Sequence, residues 1–185
     1  MKIKTYVSWE IKDKNGKLIS HMKKEAKSFT QHFLNIIYCQ ASQTTLGGQN
    51  DTGGVSRTMG PQAQNISFAA AAADGTYGLV VGTSDTAVNI GDTALAAKIA
   101  HGTGSGQLSH GTVTINTPST VSGTRSFTMQ RVFTNNSGSN ILIKEIGLYA
   151  KSYGGYIFLV ERTLATSTIT AGTSGTLTYT IQITV

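Results

Sequence analysis

The chain has 185 residues and a net charge of +6, with 13% of its residues charged against roughly 25% in an average soluble domain. That length suits one domain with a substantial core, and the single cysteine, Cys39, excludes an internal disulfide and fits a reducing compartment. No apolar run approaches the roughly 18 residues of a spanning helix and no apolar stretch follows Met1, so neither a membrane partner nor a cleaved signal is expected.

Gly, Thr, Ser, Ala and Asn take the place of charges, as in short strands joined by turns. A weakly charged surface also packs against copies of itself without repulsion, so a homo-oligomer is expected.

The charge sits at one end. Residues 1–27 hold Lys2, Lys4, Lys12, Lys14, Lys17, Lys23, Lys24 and Lys27 against Glu10, Asp13 and Glu25, a balance of +5 that leaves +1 for the rest. The bland reading is a solvated basic hairpin; the sharper one is docking through these lysines. The segment lacks arginine, the better bidentate phosphate ligand. An acidic protein surface is therefore preferred to nucleic acid as its partner.

Ile3, Thr5, Val7, Trp9 and Ile11 alternate with Lys4, Tyr6, Ser8 and Glu10, the pattern of an amphipathic strand. Asn15-Gly16 is a two-residue hairpin signal because both positions tolerate positive φ, and Lys17–His21 returns as a second strand. Ser28-Phe-Thr-Gln31 has the form of a capping box opening a helix to about Ser42. Phe29, Phe33, Ile36 and Ile37 share one face, with Leu34, Tyr38 and Ala41 broadening it toward a sheet or another subunit. Cys39 falls on that apolar face, where a thiol acts as a small hydrophobe.

Residues 43–62 are rich in Gly, Gln, Asn and Thr without periodicity, a long loop expected to be disordered or ordered by a neighbouring chain. The expected organisation is a basic hairpin-helix unit over 1–45, a Gly/Gln-rich loop over 46–62 and a β-sandwich over 63–185.

Strands are predicted at 66–71, 76–81, 112–115, 126–134, 141–150, 156–162 and 176–185, with turns at Asp74-Gly75 and Asn135–Gly138. These spacings predict a mainly-β fold, an antiparallel sandwich of jelly-roll or immunoglobulin-like topology. Between them, Asp92 reads as an N-cap, Leu95 and Ile99 as one inward face, and Gly102 as a C′ glycine of a short helical turn.

The stretch Asn140–Arg162 organises the whole: two apolar runs around Lys151–Gly155 read as a hairpin in a core, its second strand central. Lys144 and Glu145 are placed near a rim or subunit contact.

No constellation of reacting groups stands out. The histidines, His21, His32, His101 and His110, lack Cys, Asp or Glu at ligand spacing, and a zinc site needs about four ligands. Gly102-Thr-Gly-Ser-Gly106 lacks the Lys-Ser/Thr ending of a phosphate loop. Asp74 and Asp92 sit in turn or cap contexts, while Glu145 and Glu161 are expected to pair with Lys144, Arg162 or Arg131 across strands. We therefore expect no catalytic residue, metal, cofactor or small-molecule substrate. Tyr153 and Tyr156, beside the Gly-Gly turn, form the candidate glycan contact.

Two segments resemble small virion structural proteins of tailed bacteriophages, of the tail-fibre, tail-tip or capsid-accessory kind. Gly82-Thr-Ser-Asp-Thr-Ala-Val-Asn-Ile-Gly-Asp-Thr-Ala-Leu-Ala96 looks like their "GTGTTAP…DTALA" stretch, and Ile143-Lys-Glu-Ile-Gly-Leu-Tyr149 is similar to the "I-x-E-I-G-L-F/Y" strand that follows it. Phe158-Leu-Val-Glu-Arg162 and the Thr-rich last strand continue the order over about residues 79–185. Ser84-Asp85 stands where Gly-Thr is usual, and no Pro follows Ala87.

The resemblance implies a non-enzymatic protein that self-associates, docks on capsid, portal or tail proteins, and is made in the host cytoplasm before joining the virion. It carries no catalytic residues over. A receptor- or glycan-binding module of a tail fibre or tip is the alternative.

Overall fold

The structure, a computed structural model, describes residues 2–26, 28–42, 44–61 and 66–184. Lys27 and the side chains of Lys2, Ile3, Tyr38, Ala41, Ser42, Tyr153, Ile183 and Thr184 lie outside that description. In chain order the elements are β1 (Lys2–Lys12), β2 (Leu18–Ala26), α1 (Gln31–Ser42), β3 (Leu46–Asn50), β4 (Ser56–Met59), β5 (Gly78–Gly82) and β6 (Ser109–His110). There follow β7 (Thr114–Ile115), β8 (Ser119–Val121), β9 (Thr124–Thr134), β10 (Ile141–Lys151), β11 (Ile157–Ile169) and β12 (Ser174–Thr184).

The fold is mainly β and its ladders are antiparallel, stacked in a sandwich. One sheet runs β2-β1-β12-β9, with β6, β7 and β8 each pairing a part of β9; the other runs β11-β10-β5. The alternation in β1 does what the sequence predicts. Val7, Trp9 and Ile11 point inward and are buried, against Leu177 and Tyr179 of β12 and Met129 and Phe133 of β9. From the facing sheet come Leu79, Val81, Ile143, Ile146, Leu148, Phe158 and Val160, closing the main core between the sheets.

Trp9 stacks on Phe133 at 5.7 Å, and its ring fits because residue 175 is glycine: a Cβ there would lie 2.6 Å from the indole. β1 pairs β12 over Lys2–Lys12, inside the sheet, so the basic hairpin is continuous with the sandwich rather than an appended unit.

Several local expectations change. β10, not β11, is the central strand of its sheet. The pairing of β10 with β11 shifts between Ile143 and Glu145 and again between Leu148 and Tyr149. Because a bulge reverses the side-chain phase, Ile141 and Ile143 join the core together with Ile146, Leu148 and Ala150.

The helix starts at Gln31, after the expected cap. Phe29 bridges Glu161, Thr30 N donates to Val160 O at 3.0 Å, and the Thr30 hydroxyl donates to Leu159 O. Residues 28–30 thus close the outer edge of β11 instead of capping α1. Residues 44–61 hold the β3–β4 hairpin, ordered by this chain itself. Asp51 Oδ1 accepts from Gly53 N and Val55 N at 2.9 Å, and its Oδ2 takes Arg57 Nε at 2.8 Å. Residues 66–71 are not a strand; only Ser67 bridges Lys151. No helical turn forms over 92–102.

Candidate functional site

The chemistry-bearing side chains gather where β10 and β11 meet the irregular segment 83–99. Glu145, on the face of β10 turned away from the main core, is fully buried. Its Oε1 accepts Ala97 N at 2.7 Å and its Oε2 accepts Ala96 N at 3.1 Å. Arg162 comes from the neighbouring strand, 1% exposed, and donates through Nε to Glu145 Oε2 and through Nη1 to Asp92 Oδ2, both at 2.8 Å. Its Nη2 reaches Thr86 O at 3.0 Å. Burial works against the guanidinium charge, but the Asp92 and Glu145 hydrogen bonds outweigh it and raise the Arg162 pKa.

Tyr149 completes the anchor. Its hydroxyl accepts Leu95 N at 2.7 Å, and burial pushes its pKa up to about 12. The glycines of the same segments are there for close approach. A Cβ on Gly82 would lie 2.4 Å from Glu145 Oε1, and one on Gly147 2.9 Å from Leu95 Cδ2.

Asp92 is therefore an ion-pair partner, not a helix cap. Leu95 and Ile99 serve different apolar clusters, one on each side of the sheet. Glu145 sits in the interior, not at a rim, and its partner is Arg162; Lys144 reaches out to Asp85 at 2.8 Å instead. The two segments that carry the resemblance are thus one interlocked unit. All the acid, base and amide groups just named are spent on holding residues 83–99 to the sheet.

Arg131 anchors a second loop without any acid. Its Nε donates to Gly111 O at 2.8 Å, Nη1 to Leu79 O at 2.9 Å and to Tyr77 O at 3.3 Å, and Nη2 to Ala71 O and Asp74 O. Burial lowers its pKa to about 10, with the Asp74 charge acting in the other direction. His110 lies beside it, 5.0 Å from the Phe133 ring and 5.5 Å from His101. Burial, then the Arg131 charge, lower the His110 pKa to about 4. Among the described residues no three His, Cys, Asp or Glu side chains are arranged to hold a metal.

Glu161 is the remaining buried acid. It points into the core, where the Thr163 hydroxyl donates to Oε1 and Oε2 has no partner among the described residues. Burial pushes its pKa up to about 8, so it is mostly protonated at neutral pH.

The docking lysines do not form one patch. Lys4 and Lys23 lie on the outer face of the larger sheet, Lys23 5.1 Å from the Tyr6 ring. Lys24 turns inward and donates to Leu164 O at 2.6 Å. Lys12, Lys14 and Lys17 are exposed around the β1–β2 turn, Lys12 within 3.8 Å of Glu10. Lys2 lies outside the described side chains. Two open cavities of about 470 and 410 Å³ flank Lys24 and Leu164, between β2, β11 and the segment 83–92.

Of the glycan candidates, Tyr156 is half-buried with Arg57 stacked 4.5 Å from its ring, and Tyr153 lies outside the described side chains.

One broad surface escaped sequence reasoning. The outward residues of β9 and β12 are Ser126, Thr128, Gln130, Val132 and Thr134, and Ser174, Thr176, Thr178, Thr180 and Gln182, a face of hydroxyls and amides without a charge. Its signal was the alternation of Thr with buried residues in two paired strands, which becomes a surface only when the strands are known to be neighbours.

No protein-family model, curated protein or solved structure matches this chain.

Proposed function

We propose that this protein is a non-enzymatic structural component of a tailed-bacteriophage virion, a β-sandwich module that self-associates and docks on capsid or tail proteins. The reading rests on the convergence of the resembling segments, Gly82–Ala96, Ile143–Tyr149 and Phe158–Arg162, on one saturated network of Asp92, Glu145 and Arg162. A network with every charge engaged and hardly any exposure serves as a scaffold, whereas catalysis needs a reactive group open to substrate. The uncharged face of β9 and β12 supports packing against other subunits, since neutral polar surfaces meet without like-charge repulsion.

Mass spectrometry of gradient-purified particles from a host producing this protein tests it. The expected result is peptides of this chain at a fixed ratio to the major capsid protein. Recovery only in the unassembled, soluble fraction would overturn the reading.

A further inference from the structure

Covering polar groups costs little only where they are already hydrogen-bonded, and the outward face of β9 and β12 meets that condition. Across it, Asn116 Nδ2 donates to Thr128 Oγ1 at 2.7 Å and Gln130 Nε2 to Thr178 Oγ1 at 3.2 Å, while the Thr134 and Ser174 hydroxyls share a hydrogen bond at 2.9 Å. The side chains are tied to one another sideways rather than held out to water. None of the outward residues is buried, and Val132 among them is 42% exposed, so the face is open. Its threonines each carry a methyl, which adds apolar area to that of Val132.

The face is also large enough to hold a partner. β9 and β12 run side by side over residues 126–134 and 174–182, about 27 Å of strand, and with β1 and residues 114–116 alongside the face is about 19 Å wide. That is on the order of 500 Å² a side, so two such faces together bury about 1,000 Å², where specific interfaces begin. Lys4, Glu10 and Lys12 on the outward side of β1 lie along one margin, as charges do at the rim of an interface.

We propose that this face lies against the same face of a second copy. The absence of charge selects the occupant. A surface bearing lysines or acids would lose its water there and find no counter-charge, and nucleic acid would find no cation for its phosphates. The chain's other broad surfaces are charged: Glu10 and Lys23 lie outward on the β1–β2 hairpin, and Lys144 and Asp85 along the opposite sheet. The neutral face is matched by its own kind. The contact gives the self-association in the proposed function its surface and partner, and rests on that reading only for its setting in a particle.

The test is made on the full chain in solution. Sedimentation over a concentration series should give the 19.5 kDa chain at low concentration and twice that mass at high. Added salt should not weaken the pairing, since no charges meet in it. Val132→Glu with Thr180→Glu puts acids on the face, and Val132→Lys with Thr180→Lys puts bases there; neither position takes part in the three hydrogen bonds named above. Each double variant alone should remain a single chain at every concentration. An equal mixture of the two should restore the two-chain species, which also shows that both are folded. Leu142→Glu, on the other sheet and at a residue 42% exposed, should leave pairing intact. The proposal is overturned by an unaltered protein that never pairs, by pairing that salt dissolves or Leu142→Glu abolishes, by pairing in either double variant alone, or by a mixture that stays single. None of these results bears on whether the chain is found in particles.

Discussion

Arg131 on β9 and Arg162 on β11 are both 1% exposed, and each ties an irregular segment to a sheet, yet their partners differ in kind. Arg162 is held by two carboxylates, Glu145 and Asp92, and its pKa is raised. Arg131 is held by backbone carbonyls, and burial, uncompensated by a paired acid, lowers its pKa to about 10. The first arrangement balances charge inside the protein. The second satisfies every direction of the guanidinium with carbonyls and leaves its charge only partly offset, by the nearby Asp74. Each solution suits its loop: residues 83–99 contain Asp85 and Asp92 and can bring an acid to the joint, while the Ala-rich residues 69–75 offer mainly backbone.

The largest expected difference between them follows from removing each arginine. Arg162→Met leaves Glu145 buried and unpaired, and breaking a buried pair from one side costs about 3–5 kcal/mol. The double variant Arg162→Met with Glu145→Met should regain part of that loss, because the only carboxylate left without the guanidinium is then Asp92, which is 21% exposed. Urea denaturation of the three proteins checks it; a double variant no better than the single one would mean that packing, not charge, dominates the joint.

Glu161 extends the comparison to a buried acid with neither solution. Its pKa in the fold, about 8, lies above the 4.5 of the free group. The proton is therefore bound more tightly in the native state, and the associated stability is complete below about pH 4.5 and lost as pH rises through 8. The full loss is up to about 5 kcal/mol by linkage. Glu161→Gln keeps a partner for Thr163 without the titration. Melting curves at pH 5 and pH 9 should show the variant close to the unaltered protein at the lower pH and more stable at the higher. An unchanged difference between the two pH values would remove Glu161 from the account.

Arg131→Met should cost less than Arg162→Met, about 2–3 kcal/mol, because it removes charge-assisted hydrogen bonds but strands no ion. Amide exchange separates the two loops: Arg131→Met should raise exchange over residues 70–79, and Arg162→Met over residues 86–97. Exchange rising in the same segment for both would mean that the loops are not held independently.

These joints also mark how far the sequence could be read. Alternation located β1, β10 and β12 and the buried faces of Trp9, Leu177 and Tyr179, since a period of two is a local property. The Glu145–Arg162 pair was within reach because both residues lie on the Asn140–Arg162 hairpin. The carbonyl cage of Arg131 was not, since every residue carries a carbonyl and only the fold decides which five oxygens converge. The bulge near Lys144 was invisible for a related reason: an extra residue in β11 shifts the pairing without a Gly or Pro to mark it. Asp92 before an apolar pattern reads as a cap locally, and only the distant guanidinium turns it away. The hairpin at 46–59 lacked apolar alternation because only its paired ends, Leu46 and Met59, reach the core, while Asp51 and Arg57 order its turn.

The smallest expected effect gives the sharpest control. Lys144 and Glu145 are consecutive on β10, and each joins an ion pair at 2.8 Å. The Lys144 and Asp85 side chains are 34% and 77% exposed, against 2% and 0% for Arg162 and Glu145. Water and salt screen the outer pair, and ordering two solvated side chains offsets much of its attraction, so it contributes little. Lys144→Ala should thus shift the urea midpoint only slightly, and less at high salt, while Arg162→Met at equal pair distance shifts it severalfold more. Burial, not the length of the contact, then sets what an ion pair does at this edge of the sandwich. Equal losses for the two variants would refute that.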